Sequence, residues 1–359
     1  MAQVRFCTSR DGTRIAYTTD GTGPPLVRAA MFLNHLELDW ECPVWKPYLE
    51  EFSRSHTLLR HDLRGFGLSD LSATDVSLDA WVSDLESVVA ASCPGRFSLF
   101  GMCHGGPIAI EYAVRHPERV SHLVLMGSYA QGLIKRVSTP AAIEETEIRL
   151  RLAELGWGQN NEAFQQVWPT LMQPYSTLER LRALGELQRR SAPAANAVKL
   201  LRVAANVDVC VSAGQVQCPT LVLHSKGDRA TPFEQGRLLA ALIPDARLVT
   251  LDSQNHVLVE YEPAWLELTA ELRAFLPGGG TPRMRAVMAL PSLTPREAEI
   301  LEHIAQGLDN AQIAACLALA EKTVRNHITR IFDKLLVENR PQAIVRARDP
   351  GLGLNQVTF

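Results

Sequence analysis

The chain has 359 residues, of which 46% are hydrophobic, and its formal net charge at pH 7 is −3. This length is ample for a full hydrophobic core plus a small second domain. No run of 18 apolar residues occurs and the N-terminus lacks the layout of a signal peptide, so we expect no membrane span and a cytoplasmic location. The seven cysteines include no C-x-x-C pair, which favours free thiols in a reducing compartment, and we expect neither a metal nor a cofactor.

The first 276 residues alternate between strand and helix patterns. Val4–Phe6 and Ile15–Tyr17 flank Asp11-Gly12, which is a hairpin signal. Five further short apolar runs are bounded by turn residues and predict strands: Leu26–Ala30, Thr57–His61, Phe97–Phe100, Leu123–Met126 and Thr220–His224. Helical patterns lie between several of these runs, for example Leu78–Ala91 and Ile108–Arg115. This alternation predicts an α/β domain over residues 1–276, with a largely parallel sheet and helices on both faces.

Residues 129–212 interrupt this rhythm because nearly all of them have helical patterns. The predicted helices are Glu144–Leu155, Asn161–Leu171, Leu178–Arg190 and Ala194–Val203. We therefore interpret residues 129–212 as a helical insertion that forms a lid, or cap, on the α/β domain.

The stretch Gly101-Met102-Cys103-His104-Gly105-Gly106 follows the predicted strand Phe97–Phe100 and precedes a helix. This is the pattern of a nucleophile elbow with Cys in place of Ser. The glycines at 101 and 105 fit a turn so sharp that larger side chains would obstruct the helix–strand contact. Cys103 would lie at a helix N-terminus, whose positive end favours a thiolate. Cys103 is therefore the candidate nucleophile.

Two later residues complete a candidate catalytic triad. Asp228 follows a predicted strand, and His256 lies near the end of the domain. His256 would take the thiol proton, and Asp228 would hold the imidazole in the correct tautomer. A buried Cys at such a turn is often only a packed small hydrophobe, but the chain order of nucleophile, acid and histidine favours a functional role.

These residues together resemble the α/β-hydrolase family over residues 1–276, and the loop His61–Ser69 reinforces the resemblance. The Gly-x-Cys-x-Gly-Gly variant is similar to the elbow of dienelactone hydrolases, which use a cysteine. More narrowly, Pro25–Ala30, Asn34–Glu37 and Gly156–Gly158 are similar to hydrolase-like sensor domains fused to LuxR-type or cyclase output modules. The resemblance implies an α/β-hydrolase fold in which the helical insertion is the cap.

A hydrolase of this kind needs two N–H donors for the oxyanion of its tetrahedral intermediate. The backbone of His104 would supply one, and the second should come from the loop after Leu26–Ala30, near Met31 or Phe32. The family usually has His-Gly where this sequence has Ala30-Met31. We therefore expect weak oxyanion stabilisation, since one lost donor costs roughly 10²–10³ in rate.

Three polar residues near this loop have open interpretations. Arg28 lies in a strand that should be buried, so we expect it to pair with an acid. His35 and Glu37 fit polar positions in the pocket, and surface positions agree with the sequence equally well.

The segment 292–348 predicts a separate helical module. Thr294 can cap a first helix with Glu297 as its reciprocal partner, and Asp309 with Gln312 repeats this arrangement at a second. A third helix spans about Glu321–Leu335. Its buried stripe is Val324, Ile328, Ile331 and Leu335.

This module resembles the LuxR-type (GerE-like) C-terminal domain through Leu-Thr-Pro-Arg-Glu at 293–297, Glu-Lys-Thr-Val-Arg-Asn-His at 321–327 and Glu-Asn-Arg at 338–340. The resemblance implies a helix-turn-helix whose third helix enters the major groove of DNA. Its candidate contact residues are Lys322, Thr323, Arg325, Asn326, Thr329 and Arg330. Two departures weaken it: Ala320 replaces a Ser cap, at roughly 1 kcal/mol, and Leu336 replaces a Gly, at roughly 1–2 kcal/mol.

The charge of the module predicts its stoichiometry on DNA. Residues 292–348 hold eight basic and seven acidic side chains, a net charge of +1. Nonspecific affinity comes from neutralised phosphates, so one copy should bind weakly and a homodimer on paired half-sites is expected. A Pro- and Gly-rich stretch at 277–291 predicts a flexible linker, and residues 349–359 are predicted to form a tail.

Three functions agree with these features. The favoured one is a transcriptional regulator whose hydrolase-like domain senses a small carbonyl-containing ligand and hydrolyses it slowly or not at all. The second is a cysteine-dependent hydrolase of an ester, lactone or thioester, with a DNA-binding or dimerising tail. The third is an interaction protein with an inactive pocket. The recognition face argues against the second, and the triad order argues against the third.

Overall fold

A computed structural model describes residues 3–93, 95–136, 139–159, 161–278, 293–317, 319–335, 337 and 339–348. The chain forms two compact units, Met1–Thr269 and Ala270–Phe359. Most of the predicted linker, the whole predicted tail and Leu336 lie outside the described residues. Within the described part, no helix is both long and apolar enough to cross a membrane.

The first unit is built on one eight-stranded sheet with the order β1-β2-β4-β3-β5-β6-β7-β8. The strands are β1 Arg5–Thr8, β2 Arg14–Asp20, β3 Pro25–Arg28, β4 Thr57–His61, β5 Phe97–Met102, β6 Val120–Met126, β7 Thr220–Ser225 and β8 Ala246–Leu251. β2 pairs antiparallel with β1 and β4, and all other neighbours are parallel. The predicted hairpin and parallel sheet are confirmed. β8 was not predicted, because it is an edge strand with an alternating rather than continuous apolar pattern.

Helices connect the parallel strands and cover the sheet. Those outside the insertion are the 3₁₀ turn Leu38–Trp40, α1 Lys46–Ser53, α2 Leu78–Ser92, α3 Gly105–Arg115, α10 Phe233–Leu242 and α11 Pro263–Phe275, and the short α9 Cys210–Ala213 lies where the insertion returns to the sheet. The strands β5 and β7 are buried along their whole length, as expected for strands covered on both faces.

The insertion between β6 and β7 is helical, as predicted. It contains α4 Leu133–Arg136, α5 Pro140–Gly156, α6 Glu162–Met172, α7 Leu178–Ser191 and α8 Ala194–Asn206. Thr177 caps α7 by accepting a hydrogen bond from the N–H of Arg180, and Asn161 caps α6 in a similar way. α5 packs on α8, and α6 packs on α7.

Arg28 has the acidic partner that its burial requires. Its guanidinium lies 3.9 Å from Asp39, which also pairs with Arg60 at 3.1 Å, and Arg60 in turn pairs with Asp20 at 3.0 Å. The aromatic face of Trp45 covers Arg28 at 5.1 Å. These charges form a buried network beneath the loop that follows β3.

The second unit contains the four helices α12 Pro295–Ala305, α13 Asn310–Leu317, α14 Glu321–Leu335 and α15 Arg340–Arg348. Both predicted capping boxes form: Thr294 with Glu297, and Asp309 with Gln312. The predicted stripe of α14 is buried, and Lys334 on that helix pairs with Glu297 at 2.8 Å. α15 was not predicted from the sequence; it packs against α12 and α14 and completes the core.

Candidate functional site

Cys103 lies at the sharp turn between β5 and α3. Its φ of +52° is the left-handed conformation that a nucleophile elbow imposes, and its N–H donates to the carbonyl of Met126. A Cβ at Gly101 would lie 2.7 Å from the carbonyl oxygen of Gly105, and one at Gly105 would lie 3.1 Å from that of Ala29. The absence of side chains at these two positions is thus what lets the helix pack on the strands.

The structure brings His256 and Asp228 together behind Cys103. His256 Nδ1 donates to Asp228 Oδ2 at 2.6 Å, and Asp228 Oδ1 accepts from the N–H groups of Ala230 and Thr231. All of these side-chain atoms are buried. Gly127, with φ +52°, leaves room for the imidazole, since a Cβ there would lie 2.9 Å from its Cε1.

The electrostatics of this group favour a charged pair of thiolate and imidazolium. Burial alone would raise the pKa of the Cys103 thiol, but the nearby imidazoles of His256 and His104 outweigh it and lower that pKa from 9.0 to about 6. Burial would lower the pKa of His256, but Asp228 and Cys103 raise it well above its usual range. His256 Nε2, the atom that would exchange a proton with the thiol, is buried and hydrogen-bonded to none of the described residues.

The other cysteines contrast with Cys103. Burial raises the pKa of Cys7, Cys42, Cys210 and Cys218 to about 11. Of these five cysteines, Cys103 is therefore the one with a large fraction of nucleophilic thiolate at neutral pH.

The N–H groups of the loop after β3 lie near Cys103, but they already donate hydrogen bonds to side chains. The N–H of Met31 donates to Asn34 Oδ1 at 3.1 Å, and that of Phe32 donates to His104 Nε2 at 2.9 Å. The backbone N–H of His104 has no acceptor among the described residues. Of the two expected second donors, Phe32 borders the cavity described next and Met31 does not.

A partly open cavity lies between Cys103 and the cap. Its volume, counted as the space open to the centre of a water molecule, is about 110 Å³. Its lining is mostly apolar and comes from Phe32, Cys103, His104, Tyr129 and Thr231 below and from α4, α5, α6 and α8 above, including Arg136, Leu150, Trp168, Met172 and Leu200. His35 does not line it, which corrects its expected pocket position: its N–H donates to Asp39, and its Nδ1 accepts from Glu37 N–H.

The cap is hydrogen-bonded directly to the segment that carries His256. The carbonyl oxygen of Met172, the last residue of α6, accepts from the N–H of His256 at 2.9 Å and of Val257 at 3.1 Å. The side-chain amide of Gln173 donates to the carbonyl of Val257 at 2.8 Å. The position of the imidazole therefore depends on where α6 ends.

The exposed face of α14 carries the candidate DNA contacts. Lys322, Arg325, Asn326, Thr329 and Arg330 are exposed, and Thr323 is half-buried. Arg325 pairs with Glu321 at 3.1 Å, but its side chain remains 67% exposed, so this ion pair is weak and easily exchanged for a phosphate or a base.

Two family models match the chain. Residues 32–263 match the model described as alpha/beta hydrolase fold. The chain belongs to the α/β-hydrolase fold family. Residues 291–347 match the model of bacterial regulatory proteins of the luxR family, so a LuxR-family helix-turn-helix DNA-binding domain follows the hydrolase domain.

Curated relatives of the hydrolase domain are enzymes. A pimeloyl-(acyl-carrier protein) methyl ester esterase of Nitrosomonas europaea is 29% identical over 245 residues, which are 66% of this chain and 90% of the esterase. A 2-hydroxy-6-oxo-2,4-heptadienoate hydrolase of Pseudomonas putida is 24% identical over 259 residues, covering 64% of this chain and 83% of the hydrolase.

Solved structures agree on the fold. An esterase from Exiguobacterium antarcticum has a TM-score of 0.63 at 21% identity, covering 75% of this chain and 98% of the esterase. An enol-lactonase from Burkholderia xenovorans has a TM-score of 0.59 at 20% identity, covering 76% and 99%. These matches establish the α/β-hydrolase fold of the domain.

Sequence reasoning missed two polar residues of this α/β-hydrolase site. Tyr129 follows β6 directly, and its place at the carboxyl end of a central strand was a signal that could have indicated it. Arg136 lies on the short helix α4 in the cap, where nothing in the sequence pattern indicated that it borders the cavity. Across the described residues, no cluster of three or more His, Cys, Asp or Glu is arranged to hold a metal ion.

Proposed function

We propose that this protein is a transcriptional regulator whose α/β-hydrolase domain senses a small carbonyl compound in the cavity beneath the cap. The observation that carries the proposal is the activated thiol of Cys103 at the floor of a mostly apolar cavity beneath the cap, in a chain that also has a LuxR-family DNA-binding domain. Such a regulator acts on chromosomal DNA, in the cytoplasm.

The proposed chemistry at Cys103 is that of a Cys-His-Asp triad. The thiolate adds to the ligand carbonyl carbon, and the carbonyl π electrons move to oxygen. If the adduct collapses, the leaving group departs with a proton from His256, and water then releases the acyl group with His256 as base. Asp228 stays ionised throughout and holds the imidazole. The enzymes among the relatives support this chemistry, and the occupied N–H groups of Met31 and Phe32 support a slow rate.

Arg136 indicates that the ligand is also anionic. It is half-buried at the cavity wall, and none of the ion pairs among the described residues includes it. Burial lowers the pKa of Arg136, and Tyr129, Glu145 and Cys103 act against this effect, but no carboxylate among the described residues lies at ion-pair distance from it. Arginine stays protonated in proteins, so its charge is partly desolvated. A carboxylate or phosphate on an otherwise apolar ligand would remove this cost. We therefore propose an apolar carbonyl compound with one anionic group.

A matched pair of reagents tests the ligand charge. Iodoacetate and iodoacetamide have the same size and alkylate thiolates by the same reaction, but only iodoacetate is anionic. Arg136→Met should lower the rate of Cys103 with iodoacetate relative to iodoacetamide, whereas Lys135→Met, at the exposed neighbouring position, should leave that ratio unchanged. Equal ratios in all three proteins would refute the anionic site.

The regulatory role requires that cavity occupancy changes DNA affinity. DNA sequences selected with the purified full chain supply the binding site, and alkylation of Cys103 supplies an occupant for the cavity. Affinity should change about 5- to 150-fold on alkylation, the usual range of allosteric coupling. In Cys103→Ser protein the same reagent should have no effect, because it reaches only the other cysteines. Identical affinities with and without the occupant would contradict the sensor.

We also propose that the protein binds DNA as a homodimer, because the near-neutral DNA-binding domain gives one copy little electrostatic affinity. The selected sites should contain two half-sites, and complexes measured by light scattering should contain two chains. Tight binding of single chains to single half-sites would be inconsistent with this.

A hydrolase is the second candidate function, favoured by the complete Cys103, His256 and Asp228 arrangement. Mass spectrometry of small molecules that copurify with the protein distinguishes the two functions. A sensor should retain its ligand, whereas a hydrolase should convert that compound at many turnovers per second with no change in DNA affinity.

A further inference from the structure

The imidazole of His104 accepts a hydrogen bond from one of the two N–H groups that are expected to bind the oxyanion of a carbonyl compound. Its Nε2 accepts the hydrogen bond of Phe32 N–H at 2.9 Å, and the free N–H of His104 itself lies on the same residue. The side chain of His104 therefore accepts the hydrogen bond of one expected oxyanion donor, Phe32 N–H, while the backbone N–H of His104 is the other expected donor. Both residues are 3% exposed, so water does not compete for this bond.

Packing holds the imidazole in this place. The ring of Phe32 lies 5.3 Å from that of His104, and the indole of Trp81 lies 6.0 Å from it on another side. Because Nε2 accepts a hydrogen bond, the proton of the neutral ring is on Nδ1. The imidazole also lies close enough to the Cys103 sulfur to favour its thiolate. His104 thus supports the nucleophile while it blocks the acceptor site for the product of attack.

The neighbouring N–H group, that of Met31, cannot replace Phe32 N–H as an oxyanion donor. Met31 N–H is directed to Asn34 Oδ1 at 3.1 Å, and Asn34 is itself held by a bond from its Nδ2 to Asp62. Only Phe32 N–H would become free through the movement of a single side chain.

We propose that His104 is an internal plug of the oxyanion hole, which suppresses carbonyl turnover at Cys103 without suppressing the reactivity of its thiolate. The inference rests on the proposed role of Cys103 and adds a residue that decides between retaining and hydrolysing the ligand. Attack on an ester moves a pair of electrons onto the carbonyl oxygen, which needs both N–H donors. Alkylation by iodoacetamide forms the S–C bond and releases iodide, and it needs neither donor.

The test compares these two reactions in the full chain and its His104 variants. In His104→Ala, Phe32 N–H is free and the site is open, so Cys103-dependent hydrolysis of p-nitrophenyl acetate should rise at least 10-fold, since one donor is worth roughly 10²–10³ in rate. In His104→Phe, a ring still fills the space, so hydrolysis should stay near that of the parent. Alkylation should rise in neither variant, because the imidazole that favours the thiolate is lost in both.

Three results would overturn the proposal. The first is unchanged or slower hydrolysis in folded His104→Ala protein, and the second is an equal rise in both variants. The third is a parallel rise in alkylation, which would mean that His104 only restricts access. If His104→Ala does not fold, NMR of the parent decides: the N–H···N bond should give a scalar coupling between Phe32 nitrogen and His104 Nε2, and its absence refutes the plug. The dependence of alkylation on His256 tests the triad separately.

Discussion

Replacing His256 by Ala should change the pH dependence of Cys103 far more than its rate at pH 7. Among the groups that lower the pKa of the Cys103 thiol, His256 has the largest effect. Without it that pKa should rise from about 6 to at least the usual value of 9.0, because burial of the thiol also raises it. A thiol is reactive above its pKa and unreactive below it. The parent should therefore lose reactivity only as the pH falls through about 6, and the variant should lose it already well above neutrality.

The expected rate change combines two opposing effects. At pH 7 the thiolate fraction falls from about 90% at a pKa of 6 to about 1% at a pKa of 9, a loss of roughly 90-fold. A more basic thiolate is intrinsically more nucleophilic. With a Brønsted slope of about 0.4–0.5, each thiolate of the variant should react roughly 20-fold faster, since its pKa is three units higher. For a variant pKa of 9, the net loss at pH 7 is thus only about 4-fold. The midpoint of the pH profile is the decisive measurement.

The assay is alkylation by iodoacetamide between pH 5 and 10, with each cysteine followed by peptide mass spectrometry. Exposed Cys316 provides an internal control, because it lies in the other unit and should be indifferent to the substitution. A parent midpoint near 9, or the same midpoint in parent and variant, would refute the assignment of His256 as the partner of Cys103.

Further substitutions test the two domains separately. Arg325→Ala should cost about 1–3 kcal/mol on the selected DNA site if Arg325 reads a base edge; unchanged affinity would exclude the proposed face. Lys322→Ala should weaken binding to all sequences alike and reduce the salt dependence, as a phosphate contact does. Gly127→Ala should displace the imidazole of His256 and raise the midpoint of Cys103 alkylation, because the new methyl group would lie 2.9 Å from the ring at a left-handed backbone position; an unaltered profile would show that the ring tolerates it. Glu297→Ala should lower the free energy of unfolding of the DNA-binding domain by roughly 1–3 kcal/mol, since it removes a capping box and leaves Lys334 without its carboxylate. A change near zero would contradict this.

The sequence predicted those parts of the fold that local chemistry determines. The elbow follows from glycines whose Cβ atoms would collide at Gly101 and Gly105, and the helix starts of the DNA-binding domain follow from their capping boxes. Both are dictated within a few residues of chain. β8 escaped prediction because an edge strand buries only alternate residues, so no continuous apolar run marks it.

The unpredicted parts depend on packing between distant segments. The pattern Gly-x-Cys-x-Gly gives the backbone at His104, but its side-chain direction depends on Phe32, 72 residues earlier. Arg136 borders the cavity only because the cap folds over Cys103, and the packing of α5 on α8 has no signature in the sequence. His35, for which the sequence allowed a pocket or a surface position, is buried away from the cavity, where its N–H donates to Asp39, four residues along the chain.

The contact between α6 and the His256 segment is large enough in free energy to couple ligand binding to a change of state. Met172 accepts two backbone hydrogen bonds there, and each contributes about 0.5–1.5 kcal/mol to stability. Making or breaking both corresponds to roughly 1–3 kcal/mol, which is the usual range of allosteric coupling. Met172 also lines the cavity, so a ligand that displaces its side chain acts directly on this contact. Under the sensing function proposed above, the ligand would need to move only the end of α6, rather than the whole cap, to act on the His256 segment.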